Sequence, residues 1–190
     1  RLSGDMLEAA VVSGIASVGG HAVNIGVIPT PGVAFLVRDL KAHAGIIISA
    51  SHNLMEYNGI KFISGDGFKL SDKEELDIEK CISFDERGML CLNTYDDFPR
   101  PAGSDVGRVS YLQDAGERYI RHVKSTVNVT LEGLKAVVDC ANGAASSYTP
   151  RLLKDLGAHV IAINDKPDGT NINARCGSTY PQVLAELVVE

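Results

Sequence analysis

The stretch Ala44-Gly45-Ile46-Ile47-Ile48-Ser49 decides how the rest of the chain is read. It is a short, continuous apolar run rich in β-branched side chains, which fits a strand buried on both faces of a parallel sheet. The elements upstream of it alternate. Residues 3–18 read as a helix with Ser3 at the N-cap, because Met6, Leu7, Val11, Ile15 and Val18 recur at helical spacing and Gly19-Gly20 stops the pattern. Residues 22–28 read as a strand, and Pro29-Thr30-Pro31 opens a second helix running to about Leu40. Helix, strand, helix and strand in alternation indicate an α/β layer architecture.

Downstream, residues 59–63 read as another strand. Residues 71–82 read as a helix capped by Ser71, with Glu74 at the capping-box position. Over 83–107 the periodicity fades, and Gly88, Pro99, Pro101, Gly103 and Gly107 mark a linker. Residues 111–126 resume helically. A second unit follows: a strand over 134–139, the turn Cys140-Ala141-Asn142-Gly143, a helix over 144–156, Gly157 as its stop, and a strand over 158–163. The reading is two α/β domains, 1–106 and 107–190, each a mixed or parallel sheet covered by helices.

The chain has 190 residues, which suits one domain or two small ones at about 100–200 residues each. At 45% hydrophobic and 22% charged it has the composition of a globular protein, not of a disordered or collagen-like chain. The balance of 18 basic against 24 acidic residues argues against a nucleic-acid partner, whereas an anionic small molecule needs only a few well-placed donors. Cys81, Cys91, Cys140 and Cys176 form no C-x-x-C pair and show no zinc-site spacing. With no signal peptide they read as reduced thiols of a cytoplasmic protein. No apolar run approaches the roughly 18 residues of a membrane span. The chain enters a helical pattern almost at Arg1 and reaches Glu190 inside another, so both ends read as cuts through elements of a longer protein.

The chemistry concentrates in Ile48-Ser49-Ala50-Ser51-His52-Asn53, directly after the apolar strand. In open α/β sheets, ligands bind beyond the C-terminal ends of strands. A hydroxyl nucleophile (Ser51), an imidazole (His52) and an amide (Asn53) share one exposed turn there, and Gly59-Ile60-Lys61 brings a cation back toward it. A hydroxyl, a His and a Lys suit phosphoryl transfer: cations offset charge developing on the phosphoryl oxygens, and a serine can hold the group covalently. The plainer reading is that Ser and Asn are ordinary turn formers and His52 merely caps the loop. A serine hydrolase using Ser51 and His52 is a further reading, although adjacent residues on a turn point apart and no G-x-S-x-G elbow is present. A non-catalytic binding fragment is another. Cys140-Ala141-Asn142-Gly143 reads better as a packing turn than as a phosphate site, and His21, His43, His122 and His159 have no ligand spacing.

Ser49-Ala50-Ser51-His52-Asn53 followed by Tyr57-Asn58-Gly59-Ile60-Lys61-Phe62 resembles the phosphoserine loop of the α-D-phosphohexomutases. Arg1-Leu2-Ser3-Gly4 is similar to the end of that family's G-R-D-x-R-x-S-G segment. Gly26-Val27-Ile28-Pro29-Thr30-Pro31-Gly32-Val33 is similar to the strand-to-helix turn before the serine loop. Val138-Asp139-Cys140-Ala141-Asn142-Gly143-Ala144 resembles the opening of the family's second domain. Asn171-Ile172-Asn173 with Gly177-Ser178-Thr179 resembles the segment before its metal loop, in the bacterial phosphoglucosamine mutase branch.

The resemblance implies that Ser51 is the phosphorylated serine, that His52 and Asn53 line its loop, and that Lys61 stands near the transferred phosphoryl group. It also implies a reaction, glucosamine 6-phosphate to glucosamine 1-phosphate through a bisphosphate intermediate, on the route to UDP-N-acetylglucosamine and cell wall. Phosphomannomutase or phosphoglucomutase activity is the alternative. Mg²⁺ is implied between the Ser51 phosphate and three carboxylates. The implied partner is a phosphosugar, with no nucleic acid and no membrane, and a homodimer is compatible with the family. Leu54 departs from the family's usual proline. The D-G-D-G-D-R metal loop, the E-x-S-G-H sugar loop and the R-x-S-x-T segment are absent from the sequence, so the 190 residues alone are expected to have little or no activity.

Overall fold

The computed structural model describes residues 1–84, 86, 87, 90, 91 and 98–189. Gly88 and Glu190, and the thiol of Cys91, lie outside the described residues. The first helix, α1 (Ser3–Ser17), is followed by β1 (Ala22–Asn24), α2 (Thr30–Asp39), β2 (Ala44–Ile48), β3 (Ile60–Ser64) and α3 (Asp72–Lys80). At the end of α1 the N–H groups of Gly19 and Gly20 donate to the carbonyls of Ala16 and Ile15. Its start differs from expectation. Leu2 occupies the N-cap with no side-chain bond, and Ser3 is already helical. The Ser3 hydroxyl instead accepts from Asn58 Nδ2 at 3.0 Å, tying the helix start to the serine loop.

Strand β1 stops short of residue 28. The Gly26 N–H donates to Asn24 Oδ1 at 2.8 Å, and Gly26 takes a φ of +70°, so an Asx turn deflects the chain before the strand can continue. The run 44–49 does form a strand, but its described partner is antiparallel: Ala44 faces Ser64 and Ile48 faces Ile60. The connection 49–59 is a tight loop rather than a crossover helix, so the next strand returns beside β2 in the opposite sense. Burial in β2 accordingly alternates, with Gly45 and Ile47 buried and Ala44 exposed. Val33, Leu36 and Val37 of α2 pack with Ile28, Ile47 and Ile63 to make the core, in which Leu36 is 1% exposed.

The segment expected to be a linker contains the short antiparallel pair β4 (Ser83–Phe84) and β5 (Leu90–Cys91) and a 3-10 turn at Gly103–Asp105. Tyr111, expected to open the next helix, instead ends a strand, β6 (Val109–Tyr111), lying parallel to β1 with Ala22 opposite Val109. The helix begins only at Ala115: α4 (Ala115–Ser125). It packs on α2 through buried Ala115, through Arg118 bridging Asp39 at 2.9 Å and Asp114 at 3.0 Å, and through a Phe35–His122 stack with centroids 4.0 Å apart.

The second unit is a βαβ: β7 (Lys135–Asp139), α5 (Thr149–Asp155) and β8 (His159–Ile163), with the strands parallel and Lys135 opposite His159. The expected single helix over 144–156 is split into a 3-10 turn, Ala144–Ser147, and α5. Pro150 has no N–H to donate to Ser146, so a continuous α ladder cannot pass that point, but Pro fits the first turn of a new helix. A loop containing a 3-10 turn (Gly177–Thr179) leads to α6 (Gln182–Val189). Among the described residues no helix is long and apolar enough to cross a membrane.

Candidate functional site

The serine loop leaves the C-terminal end of β2. Ser49 N–H donates to the Gly59 carbonyl at 2.8 Å, extending the β2–β3 ladder by one rung and closing the base of the loop. Ser49 Oγ accepts from Ser51 N–H at 3.1 Å, and Asn53 N–H donates to the Ala50 carbonyl at 3.1 Å, so the loop folds into a tight turn. Ser51 sits at its tip with φ +54°, in the left-handed region that β-carbon-bearing residues adopt rarely and under strain. Its side chain is exposed, as are those of His52 and Asn53.

Two side chains distant in sequence hold this turn. Arg1 Nη2 donates to the Ser51 carbonyl at 3.1 Å and the Asn53 carbonyl at 2.8 Å, and Arg1 Nε donates to the Tyr57 carbonyl at 2.7 Å. Asn173 Nδ2 donates to the same two carbonyls, at 3.1 Å and 2.8 Å. Burial lowers the pKa of Arg1 from its ordinary value, but a guanidinium starts so high that it stays charged. A fixed cation therefore lies beside Ser51. Neither Arg1 nor Asn173 stood out as a site residue in the sequence beyond membership of a family-like segment.

Asn173 is itself placed by the second unit. The carboxylate of Asp139, at the end of β7, accepts from Ala141 N–H and Asn164 Nδ2 through one oxygen, at 2.9 and 3.0 Å, and from Gly177 N–H through the other, at 2.7 Å. Asn173 N–H donates to the Ala141 carbonyl at 3.0 Å. The Cys140-Ala141-Asn142-Gly143 turn is thus an anchor for the loop over 164–177. Asp168 closes a smaller turn within that loop, accepting from Thr170 N–H, Thr170 Oγ1 and Asn171 N–H, and these bonds hold its pKa below the ordinary value.

Lys61 lies in β3 opposite Ile47, exposed, two residues beyond Gly59. Among the described residues the side chains of Lys61 and His52 make no hydrogen bond or ion pair, and Ser51 Oγ bonds neither His52 nor a carboxylate. The base–serine contact of a hydrolase triad is therefore not formed. Leu54 is 46% exposed, and its N–H makes no hydrogen bond among the described residues, so none of the loop's described bonds depends on leucine at that position. An open depression of about 720 Å³ lined by Arg38, Lys41, Asp66 and Phe68 lies at the opposite end of β2 and β3 and contributes nothing to the serine loop. Among the described residues no three His, Cys, Asp or Glu side chains cluster as a metal site.

The structure thus presents Ser51 at φ +54° beyond the end of a strand, with Arg1 of the first α/β unit and Asn173 of the second both donating to its carbonyl. This is an α/β protein with an exposed serine loop at a strand end and not the arrangement of a triad hydrolase. Comparison with known proteins carries this further. Residues 1–88 match the description "Phosphoglucomutase/phosphomannomutase, alpha/beta/alpha domain I", and residues 117–188 match domain II of the same family. The chain belongs to the phosphoglucomutase/phosphomannomutase family. It is 53% identical over 190 residues to the phosphoglucosamine mutase of Desulforamulus reducens, covering 100% of this chain and 41% of that protein. It is 53% identical over 189 residues to that of Moorella thermoacetica, covering 100% of this chain and 40% of that protein. The chain thus spans about two fifths of the length of the relatives it matches. Among solved structures it superposes on a putative phosphomannomutase from Thermus thermophilus with a TM-score of 0.69 at 26% identity, over 90% of this chain and 36% of the other. A phosphoglucomutase/phosphomannomutase family protein from Burkholderia thailandensis shares the fold, with a TM-score of 0.77 at 23% identity over 100% of this chain and 39% of the other.

Proposed function

We propose that the protein carrying this chain is a phosphoglucosamine mutase, an intramolecular phosphotransferase that interconverts glucosamine 6-phosphate and glucosamine 1-phosphate with Ser51 as its phosphoryl carrier. The observation that carries the reading is the serine loop: an exposed hydroxyl at φ +54°, its carbonyl and that of Asn53 each held by two donors, in a chain of the mutase family. In the forward half-reaction the Ser51 Oγ–phosphorus bond breaks as a bond forms from phosphorus to the free sugar hydroxyl. The hydroxyl proton leaves, and the serine oxygen takes one up. The bisphosphate then turns, and its other phosphoryl group returns to Ser51 by the reverse exchange. Arg1 supplies a fixed positive charge beside the loop. The side chains of His52 and Lys61, exposed and making no hydrogen bond or ion pair among the described residues, are proposed to face the phosphoryl group, and Asn53 the sugar.

Mg²⁺ is proposed as the cofactor, where it would offset charge on the phosphoryl oxygens. The described residues fit it only through a Ser51 phosphate, because no carboxylate trio is among them. A division into domains 1–106 and 107–190 agrees with family matches that fall on either side of it, although β6 and α4 pack on the first unit. A cytoplasmic setting is supported by the free thiols of Cys81, Cys140 and Cys176.

Incubating the protein, as encoded, with glucosamine 6-phosphate and Mg²⁺ tests the function. Formation of glucosamine 1-phosphate, abolished by Ser51→Ala, is expected. Faster conversion of glucose or mannose 6-phosphate would transfer the assignment to the phosphoglucomutase or phosphomannomutase alternative.

A further inference from the structure

We propose that Asn173 is a positioning residue for phosphoryl transfer at Ser51: with Arg1 it forms a clamp that holds the serine in its left-handed conformation, and the clamp closes only when the second α/β unit is docked. The proposal rests on the phosphoserine reading above and names a residue that reading does not need.

The geometry is a closed square. Each of the two –NH2 groups, Nη2 of Arg1 and Nδ2 of Asn173, has two protons, and each gives one to the Ser51 carbonyl and one to the Asn53 carbonyl. Each carbonyl in turn uses both of its lone pairs. The Ser51 carbonyl lies in the peptide plane after Ser51, and the Ser51 N–H, in the plane before it, donates to Ser49 Oγ at 3.1 Å. Both planes about the Ser51 α-carbon are therefore held, and with them the φ of +54° that Ser51 would otherwise leave for a relaxed conformation, while the bonds to the Asn53 carbonyl fix the far side of the turn. The donors come from different units. Arg1 precedes α1 in the first unit, whereas Asn173 sits in the loop after β8. That loop is pinned to the end of β7 by the Asp139 carboxylate, which holds Ala141, Asn164 and Gly177, and by the Asn173 N–H on the Ala141 carbonyl. A second tie joins the chain just beyond, where the Leu2 N–H donates to the Gly169 carbonyl at 3.3 Å. The serine turn therefore reports where the second unit stands. Displacing that unit withdraws two of the four clamp bonds and leaves the reacting residue free to relax.

Asn173→Ala removes both donors. Asn173→Asp keeps the shape but turns a carboxylate onto two carbonyl oxygens, so it is the more damaging of the two. Both are compared with the wild-type protein, as encoded, by steady-state conversion of glucosamine 6-phosphate and by amide hydrogen exchange. The clamp predicts that kcat falls about 10- to 100-fold with KM nearly unchanged, as expected when a reacting group is misplaced and substrate binding is left intact. It also predicts that exchange at the Ser51, Asn53 and Tyr57 amides accelerates roughly ten-fold while amides in β7 and β8 keep their wild-type rates. Unchanged exchange over 51–57 in both variants would overturn the proposal, and so would uniform acceleration through β7 and β8, which would reduce Asn173 to a support of its own unit. Exchange needs no turnover. A wild-type protein without mutase activity would thus sink the phosphoserine reading, while the clamp would still stand or fall on the exchange result.

Discussion

Ser51 combines an exposed hydroxyl with a backbone conformation that serine seldom adopts, and the surrounding bonds run to its carbonyl rather than to its hydroxyl. That division leaves the Ser51 hydroxyl without a hydrogen bond among the described residues, as the proposed role of phosphoryl carrier requires. Asp168 shows a carboxylate used instead for local order. Its folded pKa lies below the ordinary 3.8 because Thr170 and Asn171 donate to the charged form. A depressed carboxylate contributes order that is present above its unfolded pKa and is lost as pH falls through the lower, folded value. NMR titration should therefore show the Thr170 and Asn171 amides shifting with a midpoint below 3.8; a midpoint at or above that value contradicts the turn. Cys140 is buried, and desolvation, with Asp165 and Asp139 nearby, pushes its thiol up to about 11. Burial also raises the Cys176 thiol. Since thiolate is the reactive species, iodoacetamide at pH 8 should modify Cys81 in the native protein while Cys140 and Cys176 react only after unfolding, as read by peptide mass spectrometry. Early modification of Cys140 would contradict its burial.

Among the elements, α3 is the one whose local chemistry suffices. Ser71 Oγ accepts from the Glu74 N–H, and the Glu74 carboxylate accepts from the Ser71 N–H at 2.8 Å, so both halves of the capping box form. Ser71→Ala should cost about 1 kcal/mol in denaturant unfolding, and no change would mean the cap is idle. Gly107 makes the opposite point. It read as linker, yet its N–H donates to the Ala16 carbonyl at 2.9 Å and a β-carbon there would overlap the Gly20 carbonyl oxygen. Gly107→Ala should therefore destabilise by about 1–3 kcal/mol, measured as a lower Tm, whereas a neutral result would contradict the close approach. These two cases show what the sequence made legible. The capping box, the Pro-opened helix α2 and the β7–α5–β8 unit were readable because their signals lie within a few residues. The β1–β6 pairing was not, since three-residue strands carry no periodicity and the partner lies beyond β4 and β5. The serine loop was legible as a motif, but its clamp was not: Arg1 and Asn173 are ordinary polar residues until the fold brings them to the same two carbonyls.

Across the whole molecule, the two α/β units meet at the serine turn and along a second line of contact. Tyr148 OH donates to the Val27 carbonyl at 2.9 Å and sets its ring edge-on to Tyr119, with centroids 6.3 Å apart. Arg151 pairs with Glu117 between α5 and α4. The net charge of −6 is thus a poor guide to the site, where Arg1 and the exposed Lys61 suit chemistry on an anion. Phosphoryl occupancy of Ser51 tests this account most directly. The purified protein is digested and the peptide containing Ser51 is weighed before and after the protein meets glucosamine 6-phosphate. One phosphoryl group on Ser51, passed to the sugar phosphate on mixing and absent in Ser51→Ala, is the predicted result. A Ser51 that stays unmodified in protein that still interconverts the two glucosamine phosphates would contradict it.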